Sequence, residues 1–313
     1  MESKNVLVTG GAGFIGSSLC EELVKRGHNV VCFDSLSTGK ESNLEPFRDK
    51  LTMVRGDSNT KDLDDVFKER SFDWVFHYAA VVGVERTLER PLEVLKDIEG
   101  IKRLLELSRK TNVKKVIFAS SSEVYGEPAE IPENEDGHLN AKIPYAVTKL
   151  MGEKYMEAYL QTYGLKTTSL RFFNVYGPRQ DSTPYGFVVG IFIRQVLEGK
   201  QPTIFGDGSQ TRDFVFIEDN VKAAIAAAET AKSEGEAINI GTGKPTTILD
   251  LAETIIRLSG KTGLSPKFLP PREHEIMHRF PSVKKMHGLL DHKAEHSLES
   301  GLKRTIEWYK NRM

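Results

Sequence analysis

The chain has 313 residues, of which 39% are hydrophobic and 28% charged, the balance of a soluble globular protein able to bury a substantial core in one large domain or two modest ones. A formal net charge of -1 gives no global attraction to nucleic acid or an anionic membrane, and neither is expected as a partner. No apolar run approaches the ~20 residues that span a bilayer.

The first residues run straight into a strand, residues 5–9, with no signal-peptide core ahead of it, so a soluble cytoplasmic protein is expected. Gly10-Gly11-Ala12-Gly13-Phe14-Ile15-Gly16 follows and opens an amphipathic helix from residue 14 to about 26. Gly27 and Asn29 stop that helix, and a second strand ends at Asp34. Cys20 and Cys32 fall on this helix and strand; two cysteines make no disulfide framework and fit a reducing compartment. In such a βαβ unit the glycines permit a tight turn and let the backbone approach a pyrophosphate at the helix N-terminus. An acid ending strand two can bond the adenosine ribose, and its charge repels a 2′-phosphate, so Asp34 favours NAD over NADP.

The alternation continues with strands at 51–54, 74–77, 115–119 and 167–170. Helices are expected from about 60, from about 91 to 109, and at Pro144–Lys149. Strands and helices in this order mean a doubly wound parallel α/β sheet, whose ligands bind beyond the carboxyl ends of the strands. Asp57, Ala79-Ala80, Ser120 to Glu123 and Phe172-Phe173-Asn174 stand at those ends. On the helix opening at Pro144, Tyr145 and Lys149 lie one turn apart on one face. A phenol ionises near pH ~10, and an ammonium one turn away is expected to lower that value and make Tyr145 a usable base.

Beyond about residue 179 the rhythm loosens. Residues 183–186 form a turn, followed by a helix at 187–198, strands near 201–208 and 211–216, a helix at 218–231, a strand at 237–240 and a helix at 247–259. A loop with a short strand covers 261–271, and a helix closes the chain at 298–310. The second half reads as a smaller lobe packed on the first, with a ligand cleft between them. His274-Glu275-Ile276-Met277-His278 matches the zinc pattern HExxH, but prolines at 270, 271 and 281 leave no stable helix for it, and no metal site is expected. His287, His292 and His296 read as a solvated polar stretch, and Gly241-Thr242-Gly243-Lys244 as a strand-to-helix turn in place of a phosphate loop.

Together these parts resemble the extended short-chain dehydrogenase/reductase family, most closely its nucleotide-sugar epimerases and dehydratases of the UDP-galactose 4-epimerase type. The landmarks are TGGAGFIG at 9–16, Asp34, GDS at 56–58, HYAA at 77–80 and SSSEVYG at 120–126. YxxxK at 145–149, RFFNVYGPR at 171–179, GDGSQTRDF at 206–214 and PRE at 271–273 complete them. The resemblance implies a Rossmann domain at 1–178 and a nucleotide-sugar lobe at 179–313, with some elements interleaved. It implies Tyr145 as the base, Lys149 as its partner on the nicotinamide ribose, and Ser121 as a hydrogen-bonding group on the reacting hydroxyl. Gly10, Gly13, Phe14, Ile15, Gly16, Asp34, Ser35, Asp57, Ser58, Ala79, Ala80 and Phe172, with Tyr145 and Lys149, would hold a tightly bound NAD. Ser121, Ser122, Asn174, Phe187, Val188, Arg212 and Arg272 would hold the UDP-sugar, the arginines matching phosphate oxygens. A homodimer through the helices from about Pro91 and Ala146 is expected on the same ground.

Departures from the family pattern rank the activities. The dehydratases place Asp-Glu where this chain has Ser122-Glu123, which leaves protonation of a departing C6 hydroxyl unsupported. Ser-Glu also occurs in UDP-glucuronate decarboxylases, in which Glu123 would be a further catalytic group, but those enzymes tend to carry arginine near Phe187. Asp97 stands where asparagine is usual. NAD-dependent 4-epimerisation through a transient 4-keto sugar ranks first, decarboxylation second and 4,6-dehydration last. An NAD-sensing regulator is the non-enzyme alternative, disfavoured because such proteins usually lose the tyrosine or the lysine.

Overall fold

The computed structural model describes residues 2–82, 87, 89–183, 185–272 and 275–313. In chain order the first lobe carries β1 (Asn5–Thr9), α1 (Phe14–Lys25), β2 (Asn29–Asp34), β3 (Thr52–Arg55), α2 (Asp62–Glu69) and β4 (Trp74–His77). It continues through α3 (Pro91–Leu95), α4 (Asp97–Lys110), β5 (Lys115–Ser121), α5 (Pro144–Tyr163) and β6 (Thr167–Phe172). The second half holds β7 (Asn174–Tyr176), α6 (Val188–Leu197), β8 (Thr203–Phe205), β9 (Thr211–Phe216), α7 (Ile217–Glu229), β10 (Ala237–Ile240) and β11 (Pro245–Thr247). It closes with α8 (Ile248–Leu258), β12 (Lys267–Leu269), β13 (His278–Arg279), α9 (Lys284–Leu290) and α10 (Leu298–Lys310).

Seven strands form one parallel sheet in the order β10-β6-β5-β4-β1-β2-β3. Both faces are covered, which explains why the strands read as near-continuous apolar runs. Val6, Val8 and Cys32 join the core on the α1 and α7 side, while Leu7, Val31, Phe33, Val75, Val116 and Phe118 face α2 and α4. The period-2 alternation of each strand thus feeds two cores. Cys20 and Cys32 are buried free thiols. Strand order reverses at β1, between β4 and β2, so the cleft opens beyond the ends of these strands. Residues 237–240 of the second half supply an edge strand of this sheet. Elsewhere in that half, β7, β9, β11 and β13 make a four-stranded sheet, and β8 pairs with β12. No helix among the described residues is long and apolar enough to cross a membrane.

Three expectations need correction. The helix expected over 91–109 is divided at Lys96, beside Asp97, whose carboxylate turns inward to accept the Val81 N–H at 2.9 Å. His296 is not part of a solvated stretch: its ring packs on Phe216 at 4.7 Å and its Nδ1 lies 3.0 Å from Asp219 Oδ1. His278 of the HExxH match lies on a strand, 3.1 Å from Thr211 Oγ1. His274, like Glu273 of the PRE turn and Pro184 of the 183–186 turn, lies outside the described residues. The Gly241–Lys244 turn joins β10 to β11 and not to a helix, and its Thr242 and Lys244 N–H groups donate to the Asp213 carboxylate, at 2.9 and 3.0 Å, and are not turned toward a phosphate.

Candidate active site

Every residue assigned above to catalysis, cofactor or substrate lines one cleft of about 2660 Å³. An ordinary small-molecule pocket occupies roughly 300–1,000 Å³, so this one has room for a dinucleotide and a second ligand together. One side is built by the ends of β1, β2, β4, β5 and β6, and the other by Phe187 and Val188 at the start of α6, Arg212 on β9 and Arg272.

The first turn fits a dinucleotide. Gly10 has φ +69°, and a Cβ there would stand 2.7 Å from the Ala79 nitrogen; at Gly16 it would stand 2.1 Å from the Gly10 oxygen. Only glycine lets the chain fold this tightly. Helix α1 is preceded by Gly13, which offers no side-chain cap, and has no acid in its first turn, so its first N–H groups and dipole remain available to an anion. The buried Asp34 carboxylate is fixed by two backbone donors, Ala12 N–H to Oδ2 at 2.9 Å and Leu36 N–H to Oδ1 at 2.8 Å. Asp34→Ala is expected to weaken NAD binding roughly thirtyfold, as loss of about 2 kcal/mol of charged hydrogen bonding implies, and to lift the exclusion of NADP. Calorimetric titration with both dinucleotides checks this; undiminished preference for NAD would remove Asp34 from that role.

The proton-transfer candidates meet at the ends of β5 and α5. Ser121 ends β5, and its Oγ accepts the Glu123 N–H at 3.2 Å, starting a short 3-10 turn over Ser122–Tyr125. Pro144 at the first position of α5 places Tyr145 in the first turn, where it hydrogen-bonds Ser121. Lys149 is 4% exposed, with Nζ 5.5 Å from the Tyr145 ring centroid and 5.0 Å from that of Phe118. Its charge does not lower the phenol as the one-turn spacing suggested. Burial pushes Tyr145 well above the ordinary phenol range, the Ser121 hydrogen bond opposes this, and the charges of Glu123 and Asp97 add to it. Burial also brings Lys149 down to about 8, with Asp97 opposing. The spacing was read correctly and the dielectric was not: a buried phenolate is costly whatever stands one turn away. Asp97 is itself buried, and burial raises its carboxyl. Beneath the pair, His77 stacks on Phe118 and shares a 2.8 Å hydrogen bond with Thr9 Oγ1; burial lowers it to about 3, so it stays neutral.

On the opposite wall, Arg272 stacks over Phe205 at 4.2 Å, and burial lowers Arg212 without removing its charge at neutral pH. Asn174 donates to the Asp213 carbonyl at 3.0 Å, which ties β7 to β9. Two groups escaped the sequence reading. Arg279 on β13 is 3% exposed and lines the cleft; its NH1 bonds the Glu123 carboxylate and its NH2 donates to the Gly126 carbonyl at 2.7 Å. Glu133 lies behind it. The one available signal was Glu123 itself, an acid beside a buried site that needs a counter-charge from somewhere.

The model of the NAD dependent epimerase/dehydratase family matches residues 6–241. A putative UDP-glucose 4-epimerase of Methanocaldococcus jannaschii is 38% identical over 308 residues, covering 98% of each chain. A UDP-N-acetyl-alpha-D-glucosaminuronate decarboxylase of Bacillus cytotoxicus is also 38% identical, over 319 residues and 98% of each chain. Among solved structures, the UDP-glucuronic acid 4-epimerase of Bacillus cereus, in complex with UDP-glucuronic acid and NAD, superimposes with a TM-score of 0.90 at 34% identity. That match covers 99% of this chain and 100% of the other.

Proposed function

The chain belongs to the NAD-dependent epimerase/dehydratase family, and from that premise we propose that it inverts C4 of a UDP-sugar of the UDP-glucose/UDP-galactose type. The observation that carries this reading is the engagement of Glu123. Tyr145 and Ser121 stand ready for a hydroxyl, while the neighbouring acid is bonded to Arg279. That carboxylate is engaged by a guanidinium and is not offered to a leaving C6 hydroxyl, which leaves oxidation and reduction at one carbon as the supported chemistry.

In this reading Tyr145, as the phenolate that a positive charge in the cleft would favour, takes the C4 hydroxyl proton while Ser121 orients the oxygen, and the C4 hydrogen leaves with its electron pair to give a 4-keto sugar. After the sugar turns over, the pair returns to the other face of C4, and Tyr145 gives its proton back to the oxygen, so nothing is consumed. NAD, when bound, supplies the hydride acceptor and donor, and its oxidised ring brings a positive charge into the cleft. Gly10, Gly13, Phe14, Ile15, Gly16 and Asp34 would hold its adenosine diphosphate half, with Ser35, Asp57, Ser58, Ala79, Ala80 and Phe172 lining the rest. Lys149 would hold the nicotinamide ribose. Arg212 and Arg272 would neutralise the sugar nucleotide's diphosphate, with Ser122, Asn174, Phe187 and Val188 around the sugar. A homodimer through α3 and α5 belongs to the same proposal, since Leu92, Met151 and Tyr163 lie exposed on these helices.

Decarboxylation of a UDP-uronate is the second reading. Phe187 denies it the usual arginine, but Arg279 brings a guanidinium to the same cleft from β13, and the Bacillus cytotoxicus relative supports it. The purified protein, with no added NAD, is to be incubated with UDP-glucose, UDP-N-acetylglucosamine and UDP-glucuronate and the products followed by NMR. C4 epimers are expected; carbon dioxide with UDP-xylose would replace the first reading by the second.

A further inference from the structure

Behind the cleft lies a carboxylate with no part in the proton transfer just described. Glu133 is 2% exposed, and neither of its side-chain oxygens has a hydrogen-bond partner among the described residues. The cation facing it is Arg279, whose Nε stands 3.8 Å from Glu133 Oε1 and makes no hydrogen bond of its own among those residues. The other end of the same guanidinium bonds Glu123. Glu123 donates its N–H to Ser121 Oγ, and Ser121 bonds Tyr145. A continuous series of contacts therefore runs from a buried acid to the reacting phenol.

We propose that Glu133 is a positioning residue for this site: acting through Arg279, it sets how firmly the Glu123 carboxylate is held beside Ser121 and Tyr145. Its side chain is not needed to hold the local fold together. The backbone already does that, with Glu133 N–H donating to the Phe280 carbonyl at 2.9 Å and the Glu133 carbonyl accepting from Ser282 N–H at 2.8 Å and Asn239 Nδ2 at 2.9 Å. What the side chain adds is a second acid for one guanidinium. With Glu133 protonated, Arg279 serves Glu123 alone; with Glu133 ionised, one cation is divided between two carboxylates and the hold on Glu123 loosens. Burial pushes Glu133 up to about 8, with Arg279 opposing and the Glu123 charge adding, so both states are reached in ordinary buffers. The charged groups acting on it are Arg279 on β13, Glu123 after β5, Arg212 on β9 and Arg171 on β6, the last already committed to Glu153.

The test is a carbon-13 NMR titration of glutamate side-chain carboxyls in the whole protein, with signals assigned through Glu123→Gln and Glu133→Gln. In the wild type the Glu123 signal should move as Glu133 titrates; in Glu133→Gln it should hold still through that range. Movement that is the same in both proteins, or none in either, overturns the proposal. Glu133→Asp, which keeps the charge, should keep the coupling, and serves if the glutamine variant does not fold; loss of coupling there also overturns it.

A kinetic arm rests on Tyr145 as base. An ionised Glu133 adds negative charge near the phenol, so the ratio of kcat in Glu133→Gln to kcat in wild type should rise about fivefold between about pH 6.5 and about pH 9, measured on whichever of the three nucleotide sugars turns over. Lys149 titrates in the same range but in both proteins, and cancels. A flat ratio would mean a merely structural role. The two readings fail separately: turnover surviving Tyr145→Phe removes the base assignment and with it the kinetic arm, while the titration tests Glu133 without reference to turnover.

Discussion

Tyr145→Phe is expected to lower kcat about a thousandfold, close to 4 kcal/mol of barrier, while the purified variant retains its NAD. The substitution removes one oxygen from a buried ring and leaves the aromatic packing beside Lys149 in place. In the proposed reaction, what is lost is the group bonded to Ser121 that would carry a proton between the sugar oxygen and the protein. The size of the effect follows from the electrostatics. Burial, Glu123 and Asp97 all hold the phenol protonated and the Ser121 hydrogen bond opposes them; the positive charge of bound oxidised NAD would oppose them further. A water molecule in the same place has no such preset environment and will not substitute. Turnover by NMR and the dinucleotide content of the denatured protein are the two measurements. Loss of NAD along with activity would make Tyr145 a structural part of the cofactor pocket, and near-normal turnover would hand the base role to another residue.

The long elements were legible because their signals are local. A glycine-rich turn between an apolar run and an amphipathic helix, followed by Asp34, carries its own geometry, and β1, α1 and β2 formed where the pattern put them. The short strands were not. Residues 174–176 and 278–279 are too brief to show a period, and they exist because each pairs with β9, which the chain reaches only after folding back. The missed site residues follow from this. Arg279 sits on one of these brief strands, beside His278 of a misleading metal pattern, and nothing in its neighbourhood along the chain points to Glu123, more than a hundred residues away. Tyr145 and Lys149 were singled out because they share one helix turn, and Ser121 because it belongs to the SSSEVYG landmark. Their energetics were misread for a related reason: spacing tells which groups are neighbours, whereas burial depends on Phe118, His77 and Asp97, which arrive from three other elements.

The same reasoning predicts the largest loss of stability away from the cleft. Glu153→Ala is expected to cost about 3–5 kcal/mol, the typical result of orphaning one member of a buried ion pair. Arg171 on β6 and Glu153 on α5 are 3% and 7% exposed, and their pairing is bidentate: Nε to Oε1 at 2.9 Å and NH2 to Oε2 at 2.8 Å. Ser120 Oγ donates to the same Oε1 at 2.5 Å, and the remaining guanidinium nitrogen reaches the Tyr125 hydroxyl and the Glu135 carbonyl, each at 2.9 Å. Tyr125 in turn donates to Asn239 Oδ1 at 2.7 Å. This network ties α5 to the ends of β5 and β6 and to β10, directly beneath Ser121 and Tyr145. Alanine leaves a guanidinium in the interior without its carboxylate, and no water can reach it without opening the sheet. Thermal unfolding should fall by roughly 10 °C, with cofactor and substrate binding weakened because α5 is no longer seated. Glu153→Gln keeps the shape and one acceptor and should lose less. Arg171→Met with Glu153→Leu, which removes both charges together, should recover much of the loss. If the double variant is instead as unstable as the single one, the pair contributes packing and geometry that apolar side chains of similar volume cannot reproduce, and the cost does not come from an unpaired charge.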